Sequence, residues 1–157
     1  MTDLAALARA LHVAAVVHWI GGVAMVTLVL LPGLRKSLPA SEQYRMFDMI
    51  EGRFAYQARI STLLAGTSGL YMTWRLSAWW RFLDPGAWWM HAMVAVWALF
   101  SVMLFVAEPL FLHRWFRAQA MARPEATFAL AERLHRILLA ASLVTIAGAV
   151  LGSHGAI

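Results

Sequence analysis

The stretch RALHVAAVVHWIGGVAMVTLVLLPGL, residues 9–34, decides how the rest of the chain is interpreted. It is long and apolar enough for a helix that crosses a bilayer, which needs about 20 predominantly apolar residues. Nevertheless it carries two histidines, His12 and His18. Ionisable side chains inside membrane spans are rare and tend to be functional, so these two predict a ligand or a partner at their depth.

The composition of the whole chain also indicates a membrane protein. Of its 157 residues, 62% are hydrophobic and 13% are charged, and the mean hydropathy is +0.67. Soluble domains average about half apolar and a quarter charged residues. The chain has no cysteine, which excludes disulfides, thiolate metal sites, iron–sulfur clusters and covalent c-type haem. Any metal chemistry would therefore use histidine, methionine or carboxylate.

Four segments are apolar and long enough to span a membrane. They predict an all-α integral membrane protein, a four-helix transmembrane bundle that forms a single domain over residues 1–157. The approximate spans are 8–31, 58–77, 88–112 and 134–153. We expect Pro32-Gly33 to close the first span and Asp84-Pro85-Gly86 to form the turn before the third. Pro39–Tyr56 predicts an amphipathic surface helix or an extension of the second span, and the polar connection 114–133 is expected to be helical on either side of Pro124.

The basic residues predict how the bundle is oriented. Four spans place both termini on one side, where Arg9, Arg75 and Arg81 are the basic residues, with a predicted interfacial belt of Trp74, Trp79, Trp80, Trp88 and Trp89. The other side carries Arg35, Lys36, Arg45, Arg53, Arg59, Arg114, Arg117, Arg123, Arg133 and Arg136. The positive-inside rule makes that second side cytoplasmic. We therefore predict a multi-pass protein of the bacterial inner membrane with periplasmic termini, surrounded by lipid and without a nucleic-acid partner.

Three histidines are predicted at similar depth near the periplasmic face: His12, His91 and His154. His18 lies about 9 Å deeper than His12 and is rotated by about 120° from it. Two histidines at matched depth on different helices can each give one axial nitrogen to a b-type haem. We expect His12 and His91 to be these metal ligands, and His18 and His154 to serve a second haem or a hydrogen-bond shell. Space for the ring would come from Gly21, Gly22, Gly66 and Gly69.

Other interpretations of the same residues stay open. The histidines could bind copper with help from Met25, Met72, Met90 or Met93, or they could simply be packed. His113 and His135, at the cytoplasmic interface, are expected to be structural. Glu108 is expected to pair with Arg59, the alternative being a proton or quinone site. Gly148 and Gly152 form a small-xxx-small pattern that favours close helix packing and could also serve a homodimer.

Two stretches resemble a known superfamily. ALHVAAVVHWIGGVAMVTLVLLPGLR, residues 10–35, resembles the first helix of the copper resistance protein D (CopD) superfamily, with its Leu-His, its Trp with Gly-Gly, and its closing Leu-Pro. WWMHAMVAVWAL, residues 88–99, resembles the third helix of its relative, the HemJ-type protoporphyrinogen oxidase, where Met93 replaces the family's lysine. The resemblance implies a haem- or copper-binding bundle, with His12 as a haem ligand and His91 as a matching position.

Together these observations predict a membrane-embedded b-type cytochrome that transfers single electrons. Quinol and a periplasmic redox protein are the expected partners, which would make the chain a membrane oxidoreductase. The alternatives are a CopD-like copper uptake or delivery protein and a HemJ-like porphyrinogen-oxidising enzyme. The Asn-Glu-x-x-Pro element of HemJ-type proteins is missing from the fourth helix, which argues against the last of these.

Overall fold

The computed structural model describes residues 3–156, apart from the side chains at positions 40 and 41. Within these residues the protein is all-helical, as predicted, without a strand. Its four long helices are α1 (Leu4–Ser37), α2 (Ala40–Arg75), α3 (Pro85–Ala122) and α4 (Pro124–Ser153). A short 3₁₀ segment, Ala78–Phe82, leads from α2 towards α3.

Successive helices pack antiparallel to one another. His12 near the start of α1 contacts Ala65 late in α2, and Trp88 at the start of α3 lies against Gly148 late in α4. The start of α1, the α2–α3 connection and the end of α4 therefore lie together, at what we call the histidine end. The opposite end holds the α1–α2 and α3–α4 connections, and we call it the charged end.

Much of the outer surface is apolar, unlike that of a soluble protein. Large apolar side chains such as Val17, Leu28 and Leu70 are more than 60% exposed, whereas Thr27 and Thr62 are completely buried. In a lipid surrounding the outer face has to be apolar, because the hydrocarbon cannot satisfy polar groups. Among the described residues, three helices (α1, α3 and α4) are long and apolar enough to cross a membrane. The protein therefore has the character of a membrane protein.

The helix α2 combines two predicted segments. The amphipathic stretch and the second span form one continuous helix, so of the two predicted alternatives the extension is the correct one. Its first half carries charged residues, among them Glu42, Asp48 and Arg53, which sets it apart from the three strongly apolar helices. The helix ends at Arg75, two residues before the predicted end of the span, and Ser77 takes up a left-handed conformation there.

The prediction that Pro32-Gly33 closes the first span is wrong, because α1 continues to Ser37. The turn just before the proline, Val26–Leu30, is a π-helix. A proline inside an α-helix lacks an amide hydrogen and clashes with the carbonyl four residues earlier. The wider π turn changes the spacing of the hydrogen bonds ahead of Pro32, so the helix can pass through it. The predicted breaks at Asp84-Pro85-Gly86 and before Pro124 are confirmed.

Candidate functional site

His12 is held between α1 and α2. Its Nδ1 lies 2.9 Å from the carbonyl oxygen of Ala65 and 3.2 Å from the Ser68 hydroxyl oxygen. A carbonyl oxygen can only accept, so Nδ1 must be the protonated nitrogen and must donate. Nε2 then keeps its lone pair, and it makes no hydrogen bond to the described residues. The ring is thus fixed in one tautomer and has one free ligand nitrogen.

Gly69 makes this position of the imidazole possible. A Cβ atom at position 69 would lie 3.1 Å from His12 Cε1, closer than ordinary van der Waals contact. Gly69 was one of the four glycines expected to make space for a haem ring. The space at this glycine is used by the imidazole ring itself.

The other predicted histidines lie in different surroundings. His91 is exposed on α3, where the Phe82 ring packs edge-on against it at a centroid distance of 5.4 Å. His18 is exposed on α1, and Nδ1 of His154 lies 2.8 Å from the carbonyl oxygen of Val150 in its own helix. Among residues 3–156, no group of three or more histidine or carboxylate side chains is arranged to hold a metal ion. The described contacts therefore do not gather the four histidines into one site.

Two of the glycines expected to make room for a cofactor are occupied by aromatic rings. The Phe54 ring fills the space beside Gly22, where a Cβ would overlap it, and Trp97 fills the space beside Gly66. The Trp97 indole nitrogen also donates to the carbonyl oxygen of Thr62 at 2.9 Å. These glycines let bulky side chains of the bundle approach the helix backbones, while Gly21 has open space beside it.

The predicted pair of Arg59 and Glu108 is confirmed and links α2 to α3. Glu108 lies in a π-helical stretch, Met103–Leu112, where the amide of His113 donates to the carbonyl oxygen five residues earlier. In that register the carbonyl of Leu104 would face the amide of Pro109, which has no hydrogen. The Arg59 Nε donates to the Leu104 oxygen instead, at 3.0 Å. The arginine thus neutralises a carboxylate and also replaces a missing backbone donor.

Further titratable groups adjoin this pair at the charged end. His113 lies between two carboxylates, with Nε2 3.8 Å from Asp48 and Nδ1 4.0 Å from Glu108. Glu51 stands on the part of α2 ahead of the predicted span, and burial raises the pKa of its carboxyl, with a further increase from Glu108. His113 was expected to be structural, and its place between carboxylates could not be recognised from the sequence because it depends on how α2 and α3 face each other.

A second charged group was missed by the sequence analysis. The buried carboxylate of Glu132 on α4 binds Arg136 one turn later and Arg35 of α1, the latter at 2.5 Å. The four-residue spacing of Glu132 and Arg136 is a recognisable signal for a helical ion pair. Nothing in the sequence indicates that Arg35, 97 positions before Glu132, is the third member of this group.

No protein-family model, curated protein or solved structure matches this chain.

Proposed function

We propose that this chain is a b-type cytochrome of the bacterial inner membrane, with His12 as an axial ligand of haem near the periplasmic face. The observation that carries the proposal is the state of the His12 ring. Histidines that bind metals usually donate their second ring nitrogen to a carbonyl or carboxylate, which fixes the tautomer and orients the ring. The hydrogen bond from Nδ1 to Ala65 supplies this arrangement and leaves Nε2 for the iron.

The proposed topology has four spans. The second half of α2 crosses the membrane in addition to the three strongly apolar helices α1, α3 and α4. Its exposed side chains include Ile60, Leu63, Leu64 and Leu70, which suit contact with lipid. Arg59 is its charged residue at depth, and its pairing with Glu108 lowers the cost of a charge in the bilayer. With the basic residues of the charged end in the cytoplasm, both termini are periplasmic.

The second axial ligand is proposed to be His91, and His18 and His154 are reserve positions. His91 is exposed and lies against Phe82, and its assignment rests on the depth that it shares with His12 on a different helix. Bound haem would supply one-electron chemistry, with quinol as the donor and a periplasmic redox protein as the acceptor. The protein would tune the potential through ligand hydrogen bonds such as that of His12.

The test is the absorption spectrum of the detergent-purified protein, oxidised and then reduced with dithionite, with iron and copper analysis of the same sample. The expected result is a Soret band that shifts and sharpens on reduction, with resolved α and β bands. His12→Ala should abolish or sharply reduce the haem content, and His91→Ala should do the same if it is the second ligand. His113→Ala is the control and should keep the haem.

Other outcomes would overturn the proposal in distinct ways. Copper without haem would make His12 part of a copper-delivery site, as the CopD resemblance implies. Protein free of haem and copper, from cells supplied with both, would leave His12 as a helix-packing residue. Haem retained by the His12→Ala and His91→Ala variants would keep the cytochrome and refute the ligands.

A further inference from the structure

A cleft opens at the charged end of the bundle, where α1 ends and α2 and α4 begin. It has a volume of about 550 Å³ and its lining includes Arg35, Lys36, Gln43, Glu132 and Arg136. A smaller hollow adjoins it on the α4 side and adds Arg133 and Ile137. The two share the ion-paired group of Glu132 with Arg35 and Arg136, so they form one surface, which we call the basic cleft.

The cationic side chains of the basic cleft outnumber its carboxylates. Four cationic side chains line it, against the carboxylates of Glu125 and Glu132. Glu132 already binds both Arg35 and Arg136, yet these two guanidinium groups stay accessible, with side chains 40% and 62% exposed. Lys36 and Arg133 have no ion pair with any described residue. The cleft therefore offers cations to an anion from outside the chain.

A side-chain hydrogen bond fixes one wall of the cleft. The Gln43 side-chain amide donates to the Leu38 carbonyl at 3.0 Å and so closes the turn from α1 to α2. Gln43 is 5% exposed, and its Oε1 accepts no hydrogen bond from the described residues. This oxygen has almost no accessible surface, so Gln43 belongs to the wall of the cleft and not to the surface that a ligand would touch.

An apolar strip runs from the cleft along α4. Ile137, Val144 and Leu151 lie on one face of the helix, on the histidine-end side of Arg133 and Arg136, and are 56%, 60% and 47% exposed. Ile137 itself borders the hollow beside Arg133 and Arg136. Cations at the end of a span with exposed apolar side chains below them match a phospholipid, whose phosphate is followed by acyl chains.

We propose that the basic cleft binds the headgroup of an anionic phospholipid, whose phosphate ester supplies the anion. The phosphate lies against Lys36, Arg133 and the accessible guanidinium groups, and the acyl chains follow the apolar strip of α4. The shared chemistry is glycerol phosphate, which a soluble ester also offers. The assignment is independent of whether the protein binds haem.

The experiment is native mass spectrometry of the purified protein titrated with phosphatidylglycerol and, separately, with phosphatidylcholine. The test variant is the double substitution Lys36→Gln and Arg133→Gln, which leaves the Glu132 ion pairs in place. Each cation near a membrane surface contributes about a factor of five to anion binding. The double variant should therefore bind phosphatidylglycerol about 25-fold more weakly, and its phosphatidylcholine binding should not change.

The matched control is Arg114→Gln with Arg117→Gln, which removes two charges from α3 at the same end of the bundle. It should keep the affinity for phosphatidylglycerol, because these residues do not line the cleft. Glycerol 3-phosphate is added as a competitor. If it competes at equal concentration, the ligand is a soluble ester, and if it does not, the ligand is the lipid. Equal losses in the two double variants, or no preference for phosphatidylglycerol over phosphatidylcholine, would refute the site.

Discussion

The two ends of the bundle are held together by different interactions. At the histidine end, tryptophan rings pack on glycines, as Trp88 does on Gly148, and neutral hydrogen bonds such as that from His12 to Ala65 join the helices. At the charged end, ion pairs join α2 to α3 and α1 to α4. The loss of one side chain leaves an altered apolar contact at the first end and an unpaired charge at the second. Because an unpaired charge is far more costly away from water, the charged end should be the more sensitive to single substitutions.

The largest effect is expected from Arg59→Met. The substitution leaves Glu108 without its cation and Leu104 without a donor for its carbonyl oxygen. The two side chains are partly exposed, at 30% and 23%, so we expect a loss in the free energy of unfolding of about 3 kcal/mol, the lower end of the range measured when one partner of a buried pair is removed. Unfolding in detergent micelles, followed by tryptophan fluorescence, measures it.

The role of Arg59 as a backbone donor can be separated from its role as a counter-ion. In the background Arg59→Met with Glu108→Leu the charges are gone, but the Leu104 oxygen still lacks a donor. Adding Pro109→Ala restores an amide hydrogen and should recover about 1 kcal/mol. In the otherwise unchanged protein, Pro109→Ala should raise the unfolding free energy by less, because Arg59 already donates a hydrogen bond to the Leu104 oxygen. An equal effect of Pro109→Ala in both backgrounds would contradict the assignment.

The glycine pair of α1 gives a smaller and internally controlled test of apolar packing. A Cβ at Gly22 would overlap the Phe54 ring, whereas a Cβ at Gly21 meets nothing within 4 Å. Gly22→Ala should lower the unfolding free energy by about 1–3 kcal/mol. Gly21→Ala should raise it by about 0.5–1 kcal/mol, since alanine costs less backbone entropy in a helix. The same direction of change in both variants would show that Phe54 does not pack there.

Features that depend on local sequence could be predicted, and features that depend on helix rotation could not. The turn at Asp84-Pro85-Gly86 and the break before Pro124 follow from proline and glycine at those positions. The Arg59–Glu108 pair follows from depth alone, because two opposite charges at one level of a small bundle have few other partners. The length of the apolar runs likewise indicates helices able to span a membrane.

The packing of the glycines shows the limit of sequence reasoning. Gly22 and Gly66 could equally have faced a cofactor, but the helices are rotated so that Phe54 and Trp97 occupy the space. Likewise, Pro32 gives a helix-ending signal that the π turn before it overrides. Rotation and hydrogen-bond register are set by side chains far away in the sequence, which a single chain does not reveal.

The smallest expected effect concerns the pH dependence of the charged end. Burial and the neighbouring Glu108 raise the pKa of Glu51 above 4.5 in the folded protein. The folded state therefore holds this proton to higher pH than the unfolded chain, so its contribution to stability is lost as the pH rises from 4.5 through the raised pKa. Glu51→Gln should match the parent protein at pH 4 and be more stable at pH 8. The measurement is the unfolding free energy of Glu51→Gln and of the parent protein from pH 4 to pH 8. If the difference between the two proteins stays constant over this range, Glu51 is solvated. The charged end would then owe its sensitivity to the ion pairs of Arg59 and Glu132 alone.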